Sequence, residues 1–418
     1  MEISTYQISS GGVSSNIEQQ PPLPASAIRF GDELVVYSDA AQSNGNAGRR
    51  LQSRRMDVSK EHLHVVVQNG RLFQQHHPNV PVIHDRGRFL LVALAPQEAQ
   101  KLKAEGKTCY GIIPVAEGQV VFEAHAVSRA RRAPQAFVQT LVDSLRRDRL
   151  EANLIMLTSF ATRLSTGSGY VSASSQARQM LKDMGYSTSF QTITVNGGAS
   201  RNIIADKPGT GSGARGVVIV TAHLDSINLE DGPTAPAPGA DDNGSGSAGL
   251  LEIARVFKNH RSKHDLRLIL FGGEEQGLFG SEQYVASLSA AKRAKIKAVV
   301  NMDMIGCLNR PNGLPGGAPL TPTVLIEGAP LSQQVIDGLR QSAATYTQLA
   351  VETSLNPFAS DHVPFIGAAI PAVLTIEGAD STNDRVHSAR DVIQTINYDF
   401  AMEILRMNVG YIAEKLGI

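Results

Sequence analysis

TAHLDSINLEDGPTAPAPGADDNGSG, residues 221–246, is the stretch whose reading decides the fold. A short β-branched run, Val217 to Val220, leads into it and reads as a buried strand. His223, Leu224 and Asp225 follow, then a Pro/Gly loop, then Ala240-Asp241-Asp242-Asn243-Gly244 and a helical pattern from Ser247 to Phe257. Open α/β sheets place their sites where a strand's carboxyl end passes into a loop. In His-x-Asp, the carboxylate of Asp225 is close enough to orient the imidazole of His223, as the outer partner of a metal-bound histidine does. By itself the triplet fits a loop histidine beside a capping aspartate equally well, and Asp241-Asp242 fits an acidic helix start. The downstream segments shift that balance.

Asp265 to Gly272 is a second apolar strand, and it runs into Gly273-Glu274-Glu275-Gln276-Gly277. Two adjacent carboxylates at the end of such a strand are costly to desolvate without a use. Ile296 to Ile305 is a third strand, with Asp303 in an apolar setting where a carboxylate needs a cation. Further strands are expected over Pro322–Glu327 and Ala368–Ile376, with helices over Leu331–Tyr346 and Phe400–Leu416. This alternation predicts a three-layer α/β sandwich over residues 135–418, its central sheet mostly parallel and flanked by helices.

Upstream, residues 1–27 read as a disordered or extended arm, and residues 28–127 as a small α+β domain, propeptide-like or accessory. Residues 128–134, Ser-Arg-Ala-Arg-Arg-Ala-Pro, read as a basic linker open to proteases. The histidines of the small domain share no spacing with carboxylates and read as solvated or packed. With Lys+Arg and Asp+Glu both at 39, no global field argues for nucleic acid or an anionic membrane. Two cysteines, Cys109 and Cys307, exclude a four-thiolate zinc site, so a metal would be held by imidazole and carboxylate. The amino-terminal residues lack the basic start and apolar core of a secretory signal, and no apolar run is long enough to span a membrane. A cytoplasmic monomer is the expectation, with secretion open if an export signal has been trimmed.

Five candidate ligands thus fall at strand ends or in adjoining loops: His223, Asp242, Glu275, Asp303 and His387. Two histidines and three carboxylates suit a pair of zinc ions with one carboxylate bridging. Metals ~3.5–4 Å apart can activate a water and polarise a carbonyl. Glu274 is left free to act as general base.

His-Leu-Asp-Ser (223–226), Gly-Ala-Asp-Asp-Asn-Gly-Ser-Gly (239–246), Gly-Glu-Glu-Gln-Gly-Leu-Phe-Gly-Ser (273–281), Asn-Met-Asp-Met-Ile-Gly (301–306), Ser-Asp-His (360–362) and Val-His-Ser with Asp391 stand in one order. In these motifs the chain resembles the M28 family of co-catalytic zinc aminopeptidases, over roughly residues 135–418. The resemblance implies release of one residue from peptides or proteins with a free N-terminus, with two zinc ions per chain. It implies that one zinc takes His223 and Asp303, the other Glu275 and His387, that Asp242 bridges, that Asp225 orients His223, and that Glu274 is the base. It also implies an apolar pocket for the first residue, with Met304, Leu374, Ile376, Val386 and Phe358 as candidate walls. Some secreted members carry a tyrosine shortly before Ser-Asp-His that steadies the oxyanion, and here that stretch holds Phe358. Carboxypeptidase or small-amide deacylase chemistry on the same metal pair would need a cationic clamp, for which Arg201 and Arg385 are available. Glutaminyl cyclase-like and non-catalytic relatives are further alternatives; the first drops part of the second metal site, and the second usually loses ligands or base.

Overall fold

The computed structural model describes residues 1–8, 26–38, 49–104, 109–125, 132–308, 321–378 and 383–418. Residues 128–131 of the basic linker and residues 9–25 of the arm lie outside them. In chain order the strands are β1 (Glu2–Gln7), β2 (Ala27–Phe30), β3 (Glu33–Ser38), β4 (Arg49–Arg55), β5 (Leu63–Gln68), β6 (Val82–Arg86), β7 (Phe89–Ala93), β8 (Tyr110–Pro114), β9 (Gln119–His125), β10 (Ser187–Val195), β11 (Gly198–Lys207), β12 (Val217–His223), β13 (Asp265–Phe271), β14 (Ile296–Met302), β15 (Thr323–Glu327), β16 (Ala350–Ser354) and β17 (Ala372–Glu377).

A 13-stranded sheet runs β10-β11-β13-β12-β14-β17-β15-β16-β9-β2-β3-β1-β4, and a four-stranded sheet runs β6-β7-β5-β8. The helices flank the large sheet as expected, but the expectation of a mostly parallel sheet is overturned. Among the described residues, seven of its twelve ladders are antiparallel. The parallel ladders are β13-β12-β14-β17, β15-β16 and β2-β9. The physical reason lies in the connections. Where a helix returns the chain, as between β12 and β13, the neighbour is parallel; where a tight turn does, it is antiparallel. Asn196 and Gly197 both have positive φ and close β10 onto β11 as a two-residue hairpin. The amino-terminal strands then extend the same sheet, with β9 paired antiparallel to β16, His125 opposite Val351.

Side-chain alternation shows what covers each face. On β12, Val218, Val220 and Ala222 enter the main core, beneath helices 147–158, 246–257 and 398–416, while Ile219 enters a second core with Tyr284 and Phe365. Farther along, Val324, Ile326 and Val373 still face the main core, but Leu325, Leu374 and Ile376 face the other way. They join a third core built largely from Val65, Val67, Phe73, Phe89, Leu91 and Phe122 of the amino-terminal unit. Full burial of each such side chain contributes about 1.5–3 kcal/mol. The unit therefore covers this part of the sheet's face.

Candidate metal centre

The parallel strands β13, β12 and β14 end together, and the candidate ligands sit at those ends. His223 is the last residue of β12, Glu274 and Glu275 follow β13, and Asp303 follows β14. Asp242 lies just ahead of the helix Gly246–Phe257, and His387 lies in the loop before Asp391 with φ of 56°.

The distances bring all five expected ligands together. His223 Nε2 is 3.2 Å from Asp303 Oδ1 and 3.3 Å from Asp242 Oδ1. His387 Nε2 is 3.2 Å from Asp242 Oδ2 and 2.7 Å from Glu275 Oε2. Asp242 thus turns one oxygen to each histidine. Glu274 stands slightly apart, with Oε2 3.9 Å from His223 Nε2. Asp225 lies behind. Its carbonyl oxygen is 3.2 Å from His223 Nδ1, and its carboxylate accepts the backbone N–H groups of Glu274 and Glu275 at 3.4 and 3.3 Å.

Outer bonds fix the ligands. Asp391 accepts the backbone N–H groups of Asp241 and Asp242, each at 2.9 Å, and so sets the ligand loop. Thr221 donates to Asn301, Asn301 donates to Ser360, and Ser360 donates to Asp303 Oδ2 at 2.7 Å. Beneath the cluster Arg163 is fully buried, donating to the carbonyls of Leu157, Leu224, Pro238 and Gly239. Burial lowers its pKa to about 10, while Asp391, Asp225, Glu275 and Asp242 hold it charged.

Without a cation the site is strongly frustrated. Burial pushes Glu274 well above the usual carboxylate range, and burial with the Asp242 charge pushes Glu275 to about 7. Burial also raises Asp361 to about 7 and Asp391 well above its ordinary value. Burial opposes ionisation of Asp242 too, but His223 and His387 outweigh it and hold its pKa low. Conversely, burial opposes the two imidazolium ions, yet Asp303 and Glu274 raise His223, and Glu275 and Asp242 raise His387, well above the usual range. So many buried carboxylates converging on two imidazoles is an arrangement that divalent cations relieve. Among the described residues Glu275 Oε1 is buried without a hydrogen-bond partner, and two donor groups share His223: one with Glu274 and Asp303, one with Asp242 and Glu275. This is a co-catalytic two-metal site, and its N/O donors suit zinc.

A pocket of about 200 Å³ opens on the cluster, lined by Glu274, Glu275, His387, Leu278, Phe358, Ala359, Asn69 and Cys109. Of the expected pocket residues, Phe358 lines it. Met304 and Ile376 line a separate cavity of about 20 Å³, and Leu374 and Val386 are packed in the third core. Sequence reasoning missed Arg163, Asn69 and Cys109. A lone arginine among small polar residues ahead of the ligand stretch was a faint signal for the first; the other two had none.

A family model described as peptidase family M28 matches residues 202–412. Leupeptin-inactivating enzyme 1 of Streptomyces exfoliatus is 33% identical over 241 residues, 56% of this chain and 50% of that protein, so this chain spans half its length. A probable leucine aminopeptidase of Arthroderma otae is 29% identical over 346 residues, 78% of this chain and 90% of that one. Among solved structures, the LapA aminopeptidase of Legionella pneumophila shares the fold at a TM-score of 0.58 and 19% identity, covering 85% of this chain and 98% of that one.

Proposed function

This chain belongs to peptidase family M28 and is a zinc-dependent hydrolase, and on that premise we propose that it releases the N-terminal residue of peptides with a free α-amine. One observation carries the reading: Asp242 offers Oδ1 towards His223 and Oδ2 towards His387, the stance of a carboxylate shared by two cations. His223 and Asp303 would hold one zinc, Glu275 and His387 the other, and Asp242 both. When bound, the pair supplies Lewis acidity to the amide carbonyl and to the attacking water.

The chain's own residues do the rest. Asp225 orients His223 and, through two backbone N–H groups, sets the Glu274-Glu275 turn. Glu274 lines the pocket beside Glu275 and His387. As general base it takes a proton from the attacking water and returns it to the leaving amine nitrogen. Phe358, Leu278 and Cys109 give the pocket an apolar wall for the side chain of the first residue.

The placement of the two candidate clamps favours this reading over carboxypeptidase chemistry. Arg201 donates to Ser174, Val171 and Ser175 and lies over the ring of Phe190, and neither it nor Arg385 lines the pocket. Among the described residues, no helix is long and apolar enough to cross a membrane. The test compares leucine p-nitroanilide with its N-acetylated form. Cleavage confined to the free amine is expected, and equal cleavage of both would replace the reading with an amidase.

A further inference from the structure

The amino-terminal unit touches the pocket as well as the sheet. Asn69 and Cys109 stand in its wall together with Leu278 and Phe358. Cys109 Sγ is 4.0 Å from His387 Nδ1, on the side of the ring away from Nε2, which faces Asp242 and Glu275. The two residues are tied to each other, since the Asn69 N–H donates to the Cys109 carbonyl at 2.9 Å.

Arg88 ties these residues to Phe358. From β7's leading edge its guanidinium donates to Asn69 Oδ1 at 3.1 Å, to the Phe358 carbonyl at 3.2 Å, and to Glu327 at 3.2 and 3.4 Å. Glu327, at the end of β15, accepts the Phe358 N–H at 2.7 Å. One buried ion pair therefore sets the spacing between Asn69 and Phe358.

Two glycines of the unit also approach Phe358 and Val386 closely. A Cβ on Gly111 would lie 2.8 Å from the Phe358 ring, and one on Gly70, where φ is +50°, would lie 2.5 Å from Val386. An inhibitory segment fills the site it blocks. Here the described residues of the unit line a cavity of about 200 Å³ beside Glu274 and leave it open.

We propose that the amino-terminal unit is a lasting half of the substrate pocket, in which Cys109 and Asn69 help to select the first residue's side chain and Arg88 holds their wall in register with Phe358. The proposal rests on the aminopeptidase reading for the identity of that side chain. It predicts that adding bulk at Cys109 shortens the list of accepted residues, and that removing it lengthens the list.

The experiment uses the full zinc-loaded chain and the p-nitroanilides of alanine, leucine and phenylalanine. Cys109→Leu is expected to lower kcat/KM for the leucine and phenylalanine substrates at least 10-fold relative to alanine. Cys109→Ala, which adds no bulk and keeps folding in hand, is expected to raise the phenylalanine-to-alanine ratio several-fold. Ratios within 2-fold of the parent in both variants would overturn the proposal. A readout independent of turnover is alkylation of Cys109 by iodoacetamide, followed by peptide mass mapping with added glutathione as the reference thiol. Saturating L-leucine is expected to slow it at least 5-fold, and an unchanged rate would overturn the proposal. Proteolytic nicking within residues 126–131 is expected to leave the unit bound with no rise in activity; release accompanied by activation would overturn it. Failure of the aminopeptidase reading is seen separately, as equal cleavage of the N-acetylated substrate by the parent chain.

Discussion

Replacing Arg88 by Met should cost a large share of the molecule's stability, in a pH-dependent way. The Arg88 side chain is 6% exposed and its partner Glu327 is 0% exposed. The substitution keeps an apolar stem of similar length but removes two bonds to Glu327, one to Phe358, one to Asn69 and a long one to the Gln68 carbonyl. Glu327 keeps the Phe358 N–H and His362, whose Nε2 is 3.4 Å away. Stranding one member of a buried ion pair typically costs about 3–5 kcal/mol. Unfolding entropy of about 2.1 cal/mol/K per residue, over 418 residues, converts this to a fall in Tm of about 3–6 °C. Burial pushes the Glu327 pKa up, but Arg88 and His362 more than offset it and hold it below the usual carboxylate range. A depressed carboxylate pKa contributes stability above the unfolded value, and that stability is lost as pH falls through the folded value. Without Arg88, burial dominates, and Glu327 can escape its isolation by taking a proton as the pH drops. The gap between parent and variant should therefore be widest near pH 8 and narrow towards pH 5. Differential scanning calorimetry of the zinc-loaded chains at both pH values measures it. A shift below 1 °C at pH 8, or a gap that widens at pH 5, would refute the reasoning.

Two further outcomes follow from other parts of the molecule. His125, on the strand that joins the amino-terminal unit to β16, has its pKa lowered from 6.5 to about 4 by burial and by the charges of Arg340 and Arg29. The unfolded chain binds that proton more readily, so roughly 3 kcal/mol of stability present above pH 6.5 should be lost as pH falls towards 4. His125→Gln should flatten urea-denaturation midpoints across this window, and an unchanged slope would contradict the assignment. Asp242→Asn keeps the shape of the shared ligand but weakens its hold on two cations. Elemental analysis should show bound zinc falling from two per chain to one or fewer, while two tightly held ions would remove Asp242 from the bridging position.

The parallel heart of the sheet was legible because β12, β13 and β14 are near-continuous apolar runs, each leading at its carboxyl end into polar residues. Glu275 and Asp303 stand out as carboxylates in apolar settings, His223 only through its company downstream, and the distances bring the three together with Asp242 and His387. The strand directions outside that heart were not legible. Helix-strand alternation predicts crossovers, but it says nothing of β15 entering against β17, or of β9 closing on β16 across more than two hundred residues. Polar short strands such as β4, Arg49–Arg55, carry no apolar alternation to find. Buried arginines are the deepest gap. Arg88 and Arg163 read as surface residues from composition, and only their carboxylate and carbonyl partners, distant in sequence, explain their burial. For the same reason Asn69 and Cys109 could not be joined to a pocket whose other wall lies near residue 358.

The central claim is that two zinc ions and a separate proton-carrying carboxylate do the chemistry. Glu274→Gln tests it most directly, because the amide preserves size but cannot take up a proton at neutral pH. Zinc content and leucine p-nitroanilide turnover should be measured on the same sample. The account predicts two zinc ions per chain in parent and variant alike, with kcat reduced about 10²–10⁴-fold in the variant. Full activity with both zinc ions retained would contradict it, and so would loss of a zinc ion in step with loss of activity, which would make Glu274 a ligand rather than the base.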